Sequence, residues 1–223
     1  MVGHSFGGFI STQYALRFPE QIDKLVLLSP IGVQEPPEAT RDPEKVKESF
    51  KSGMAKYGWT WANETWNSTW FSPFDMYRIL GAKVSRSFIK SGFARRMDAD
   101  AVFDVEGEVD VFVEYIMQMM MARKSSETCI TKCLAFRAYA IKPLVHEMPK
   151  LMMPVCYQYG EYDWVSRAPA DQLLSEGKVK GSCHSTPKSG HHLYAQAGFD
   201  CVRNMIAFTH DEAEATAFAE SRK

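Results

Sequence analysis

The sequence predicts an α/β chain, a parallel sheet covered by helices and interrupted by a long helical insertion. Three observations predict it. A Gly-x-Ser-x-Gly turn at residues 3–7 leads directly into a helix. Two short apolar runs, Lys24-Leu25-Val26-Leu27-Leu28 and Met153-Pro154-Val155-Cys156-Tyr157-Gln158-Tyr159-Gly160, suit strands buried on both faces. The residues between those runs read as helices and aromatic-rich loops.

The opening turn, Gly3-His4-Ser5-Phe6-Gly7-Gly8, fits a nucleophile elbow. A serine on a sharp strand-to-helix turn takes a strained backbone and holds its hydroxyl clear of the sheet. Side chains two positions either side would collide with the turn, which accounts for Gly3 and Gly7. Gly8 lets the helix lie close to the strand. The amides at the start of that helix favour developing negative charge, and the Phe6 N–H is the natural first oxyanion donor. The helix is predicted from Gly8 to Phe18, with Pro19 ending it. Met1-Val2 is all that stands for the strand before the elbow. Earlier strands, and the loop that supplies a second oxyanion donor, have no counterpart, so the chain reads as the C-terminal part of a longer protein.

From Gln34 to Ile141 the pattern changes. A helix is predicted from Pro43 to Lys56. Tyr57-Gly58-Trp59-Thr60-Trp61 follows, with Trp66, Trp70, Phe71 and Phe74 behind it. Gly107 to Arg123 is an amphipathic helix candidate with Phe112, Tyr115, Ile116, Met119 and Met120 at helical spacing. Another helix is predicted from Glu127 to Tyr139. Such an insertion reads as a cap. Its aromatic and Met side chains either line an acyl-chain pocket or pack the cap on the sheet, and packing is the better reading for most single residues. The organisation expected is therefore hydrolase core over 1–33, helical cap over 34–141 and C-terminal core over 142–223.

The strand ending at Gly160 is followed by Glu161-Tyr162-Asp163-Trp164, at the edge where parallel sheets place ligands. Asp163 is the candidate acid that would hold a histidine in the productive tautomer, with Glu161 its competitor. A helix over Ala168 to Glu176 and a last strand over Val179 to Ser185 lead to Ser189-Gly190-His191-His192-Leu193-Tyr194. His191 is the candidate general base, with His192 the neighbour most easily mistaken for it. The order Ser, Asp, His is that of α/β-hydrolases. His146 and His184 read as structural or exposed, and His4 as shaping the pocket floor. The tail from Asp211 to Glu220 reads as a solvated helix face.

Composition narrows the classes. The 223 residues carry 26 Lys+Arg against 27 Asp+Glu, and a net charge of -1 argues against a nucleic-acid binder. At 45% hydrophobic the chain has ample surface to bury, which excludes disorder. No apolar run approaches the roughly 18 residues of a membrane span. Five cysteines without framework spacing suit a reducing compartment, hence an intracellular location such as cytoplasm, lipid droplet or mitochondrion. No metal site is expected. His191 and His192 are adjacent and diverge, while Cys129 and Cys133 share a helix face as small apolar packers.

Together Gly3-His4-Ser5-Phe6-Gly7-Gly8, Tyr14-Ala15-Leu16-Arg17-Phe18-Pro19, Leu25-Val26-Leu27-Leu28-Ser29-Pro30-Ile31-Gly32-Val33, Ser72-Pro73-Phe74, Arg78-Ile79-Leu80-Gly81, Tyr159-Gly160-Glu161-Tyr162-Asp163-Trp164 and Gly190-His191-His192-Leu193-Tyr194 resemble one branch of the α/β-hydrolases. It acts on phospholipids and lysophospholipids and includes abhydrolase-domain proteins four and five and the yeast cardiolipin deacylase. The resemblance implies a triad of Ser5, Asp163 and His191, no cofactor, and hydrolysis of acyl ester or N-acyl bonds of lipids. Some relatives are proposed to transfer acyl groups to lysophosphatidic acid, a proposal tied to a His-x4-Asp motif. Here Gln196 stands where that aspartate would be.

The first function expected is a serine hydrolase acting on phospholipids or lysophospholipids through an acyl-enzyme, with contact to a membrane or lipid-droplet surface. A soluble carboxylesterase, a peptidase or a lysophosphatidic acid acyltransferase is the alternative among enzymes. The other class is an inactive fragment or lipid-surface module without a complete oxyanion hole, which would be poorly soluble and nearly inactive by itself.

Overall fold

The computed structural model describes residues 1–68, 71–96, 107–210 and 212–221. Trp70 and Asp211 of the stretches discussed above lie outside the described residues.

Four parallel strands form one sheet in the order β1-β2-β3-β4. They are β1 (Val2–His4), β2 (Leu25–Leu28), β3 (Val155–Gly160) and β4 (Gly181–Thr186). β2 and β3 are buried at every residue, as continuous apolar runs in a sheet covered on both faces must be. The register sets Leu27 beside Gly3 and Tyr157.

Strand alternation divides the core in two. On one face Leu25, Leu27, Val155, Tyr157 and Tyr159 meet Phe9 and Ala15 of α1 (Phe6–Arg17), with Ala170 and Leu173 of α8 (Ala168–Ser175). On the other face Val26, Leu28 and Cys156 meet Leu193 of α9 (Leu193–Gln196) and Cys201. Cys201 belongs to α10 (Gly198–Thr209), against which α11 (Glu212–Glu220) stacks Phe218 on Phe199. Lys24 fastens the far end of α10, donating to the Phe208 and Thr209 carbonyls at 3.0 and 2.9 Å.

Between β2 and β3 run α2 (Glu38–Arg41), α3 (Pro43–Ser49), α4 (Gly53–Asn67), α5 (Asp75–Arg96), α6 (Glu108–Met121) and α7 (Ile130–Cys133). The single helix expected over 43–56 is two. The chain turns extended at Phe50, whose ring packs on Trp59, and α4 carries the Trp59–Trp61 stretch as helix rather than loop. α5 was not expected, and Gly81 kinks it at φ 78°.

The helix expected over 127–139 is replaced by a tight turn at Ser126–Cys129, the short α7 and an antiparallel bridge between Leu134 and Ala140. Arg137 and Ala138 take left-handed backbone there. Tertiary contacts override helix propensity. Trp66 donates its indole N–H to the Leu134 carbonyl at 2.8 Å, and Phe136 packs against Trp59 and Trp66.

α5 and α6 have a core of their own, Ile89 with Val113, Ile116 and Met117, joined by Met120 and Met121. Of the apolar stripe noted on α6, Ile116 and Met120 are thus packing residues, while Tyr115 and Met119 face outward, 61% and 47% exposed. Arg78 joins α5 to the turn before α7, pairing with Asp75 at 2.8 Å and Glu127 at 2.9 Å.

Candidate active site

Every strand of a parallel sheet points its C-terminal end the same way, so the loops leaving β1, β3 and β4 share one rim. Ser5 directly follows β1, Asp163 follows β3, and His191 follows β4. The structure brings the three together. His191 Nε2 lies 2.8 Å from Ser5 Oγ, and His191 Nδ1 lies 3.0 Å from Asp163 Oδ1. A carboxylate can only accept, so Nδ1 carries the proton and Nε2 is free to accept from the serine hydroxyl.

Ser5 sits at φ 53°, ψ -119°, the strained backbone an elbow requires. Its N–H bonds the Leu28 carbonyl at 2.9 Å, and its carbonyl accepts from Gly8 and Ile31, so the end of β2, the loop after it and the first turn of α1 brace the turn. Phe6 is the first residue of α1, and its N–H has no acceptor within the helix. A Cβ on Gly3 would lie 2.5 Å from Ser11 Oγ and 2.6 Å from the Gly7 carbonyl oxygen, so Gly3 is sterically required. One on Gly8 would lie 2.9 Å from Pro30 Cβ. Gly7 corrects the expectation, because a Cβ there would meet nothing within 4 Å. The turn is crowded on its strand side only.

Asp163 is almost wholly buried, its side chain 1% exposed. Burial alone would raise its pKa. The hydrogen bond and charge of His191, with Ser29 and the Val165 N–H, outweigh burial and hold the carboxyl below its ordinary range. Oδ1 accepts from both His191 and Val165. Oδ2 is buried without a conventional partner, as are the hydroxyls of Ser29 and Tyr159. Glu161, the competing acid, instead accepts from the Lys188 N–H at 3.0 Å.

His192 Nδ1 meets the Tyr194 hydroxyl at 3.1 Å and not Ser5. Phe112 of α6 packs edge-on against His192, with ring centroids 5.0 Å apart, while Trp164 lies 5.0 Å from the His191 ring. His4 joins the Ser5 turn to the His191 loop. Its Nε2 donates to the His191 carbonyl at 2.8 Å, and its ring touches His191, His192 and Tyr194. Burial pushes its pKa down to about 4, so the ring is neutral at ordinary pH. Gln196 accepts from the Gly190 N–H at 2.8 Å, fixing the loop that carries His191. His146 is exposed against Glu35, and His184 meets Ser182. Cys133, the last residue of α7, packs on the core.

Sequence reasoning missed Ser29, Trp164 and the partner of His4. Only Ser29 carried a signal, a polar residue ending an apolar strand at the rim. Among the described residues no group of three His, Cys, Asp or Glu side chains is placed to hold a metal ion, and no helix is long and apolar enough to cross a membrane.

A family model described as alpha/beta hydrolase fold matches residues 1–57. A 1-acylglycerol-3-phosphate O-acyltransferase of Arabidopsis thaliana is 24% identical over 200 residues, covering 87% of this chain and 45% of that protein. The abhydrolase domain-containing protein abhd-5.2 of Caenorhabditis elegans is 25% identical over 211 residues, 95% of this chain and 43% of its own length. A (lyso)-N-acylphosphatidylethanolamine lipase of Mus musculus is 22% identical over 209 residues, 87% and 55% of the two chains. The chain thus spans about half the length of the curated relatives it matches. Among solved structures, naproxen esterase of Bacillus subtilis aligns with TM-score 0.54 at 16% identity, covering 94% of this chain and 59% of that one. A bacterial membrane phospholipase A aligns with TM-score 0.53 at 17% identity, covering 93% and 55%. These likenesses show the α/β-hydrolase fold.

Proposed function

We propose, for a chain that belongs to the α/β-hydrolase superfamily, in the branch of the abhydrolase-domain proteins, that it cleaves acyl bonds of phospholipids or lysophospholipids through an acyl-enzyme on Ser5. The observation that carries this reading is the unbroken relay Asp163–His191–Ser5, at 3.0 and 2.8 Å. His191 takes the proton of Ser5 as the hydroxyl oxygen attacks the acyl carbonyl. The tetrahedral oxyanion meets the Phe6 N–H at the start of α1. His191 then protonates the leaving alcohol or amine, and a second nucleophile releases the acyl group by the same steps in reverse. Asp163 holds the imidazole in its tautomer and offsets the charge it gains.

The segment 34–141 acts as the cap. Phe112 reaches the rim of the site, and Trp164 and Tyr194 offer apolar surface suited to a lipid chain. Four relatives named as 1-acylglycerol-3-phosphate O-acyltransferases support a second reading, in which a lysolipid hydroxyl replaces water as the acceptor. Gln196 occupies the place of the aspartate tied to that transfer and is turned inward onto Gly190, so water is the preferred acceptor.

A fluorophosphonate probe tests the chemistry. Labelling is expected on the wild-type chain and absent from Ser5→Ala. Wild-type labelling no stronger than that of Ser5→Ala defeats the reading and leaves a non-catalytic lipid-surface module. Supplying a labelled acyl-phospholipid together with lysophosphatidic acid separates the acceptors. Free fatty acid marks water, and labelled phosphatidic acid marks transfer.

A further inference from the structure

The acid of the site has one oxygen unaccounted for. Asp163 Oδ1 takes two hydrogen bonds, whereas Oδ2 is buried with none. Nearly every buried carboxylate oxygen in a folded protein is satisfied, because an unpaired one costs its full desolvation. Ser29 presents the complementary anomaly. It is fully buried at the C-terminal end of β2, its hydroxyl has no conventional partner, and its backbone holds φ 45°, which few residues other than glycine adopt readily. Its N–H is committed to the Gln158 carbonyl of β3 at 2.8 Å, which fixes the backbone beside the strand that leads into Asp163.

We infer that Ser29 is a positioning residue whose hydroxyl donates to Oδ2 of Asp163, so that the carboxylate is held from both sides when it supports His191. The inference rests on the acyl-transfer reading above. Ser29 already helps keep the carboxyl ionised. The other titratable groups facing Asp163 are His191 from the loop after β4, His4 from the end of β1, and Tyr159 from β3. His191 is the partner whose function is at stake. His4 and Tyr159 are neutral at assay pH, and of the two orphaned hydroxyls near this carboxyl, those of Ser29 and Tyr159, it is Ser29 that lowers the carboxyl's pKa through a side-chain hydrogen bond, whereas Tyr159 meets it through charge alone. Strain concentrated at such a residue belongs to the class of backbone outliers that persist at functional sites.

Two variants test the idea. Ser29→Ala removes the hydroxyl, and Ser29→Gly does so while easing the left-handed backbone, so at least one is expected to fold. Deleting a donor to the ionised carboxylate makes the acid–base pair hold its proton more tightly. The acid limb of fluorophosphonate labelling should therefore move up by about half to one pH unit, and labelling at neutral pH should slow about three- to tenfold. The His191 Nδ1–H proton resonance, read by NMR without any reaction, should shift in both variants. An unmoved acid limb and an unchanged resonance in a folded variant overturn the inference. Should the wild type not label at all, the acyl-transfer reading falls, and the resonance alone still decides whether Ser29 holds Asp163.

Discussion

Ser5 and His191 stand 186 positions apart in sequence and 2.8 Å apart in space, and His4 is the side chain that makes this pairing more than a single bond. Its donation to the His191 carbonyl ties the Ser5 turn to the His191 loop, independently of the bond between those two side chains. His4→Ala should therefore slow fluorophosphonate labelling about five- to tenfold, and His4→Gln, which keeps a donor, should recover part of the rate. The same residue leaves a mark on stability. Burial lowers its pKa from 6.5 to about 4. Below 6.5 the unfolded chain binds a proton that the folded chain refuses, so this contribution falls as pH drops, by on the order of 3 kcal/mol by pH 4. Urea titrations at pH 7 and pH 4.5 should show a smaller loss of stability for His4→Gln than for wild type. Equal losses would mean that the ring is already accommodated in its charged form.

Between residues and the whole lies the tie from α5 to the turn before α7. Arg78 has Asp75, Glu127 and the Ser72 hydroxyl around its guanidinium and donates to the Ala122 carbonyl as well. The side chains are mostly buried, 19% exposed for Arg78, 14% for Asp75 and 8% for Glu127. Removing the cation takes an ion-pair partner from two carboxylates and leaves one of them stranded. Lys124 still serves Asp75, but nothing basic replaces Arg78 at Glu127. Arg78→Ala should cost about 3–5 kcal/mol, and Arg78→Lys should recover little, because an ammonium cannot reach three partners in a fork. Thermal melts of both variants decide this, and a loss under 1 kcal/mol would mark the network as incidental. The same region shows where sequence reading fails. The helix over 127–139 had the right propensity, but Trp66 and Phe136, far apart in sequence, hold the chain in a hairpin that no local pattern announces. The elbow was legible because its residue types answer to local sterics, and Gly7 shows the limit of that logic, as its space is open.

At the scale of the whole molecule, β2 and β3 were legible because strands buried on both faces must be apolar along their length, whereas β4, polar and partly exposed, was legible only from its place before the Gly190-His191-His192 loop, and the candidate residues share one rim. Ser5, Asp163 and His191 were each named from residue type and order. What could not be read was which side chains support them, since Ser29, His4 and Trp164 arrive by packing across strands rather than by spacing along one. That dependence makes the site a reporter of the entire sheet. No single loop contains it, so it should vanish only when the strands part. Leu27 tests this, being fully buried in β2 between Gly3 of β1 and Tyr157 of β3. Leu27→Ala should cost about 2–5 kcal/mol, the range for a leucine removed from a packed core. Urea titrations followed by far-UV circular dichroism and by fluorophosphonate labelling should share one midpoint in the wild type, and both midpoints should move down together in Leu27→Ala. If labelling disappears at a lower urea concentration than the helical signal, the rim opens as a unit of its own, and the nucleophile's reactivity depends on local order rather than on the sheet.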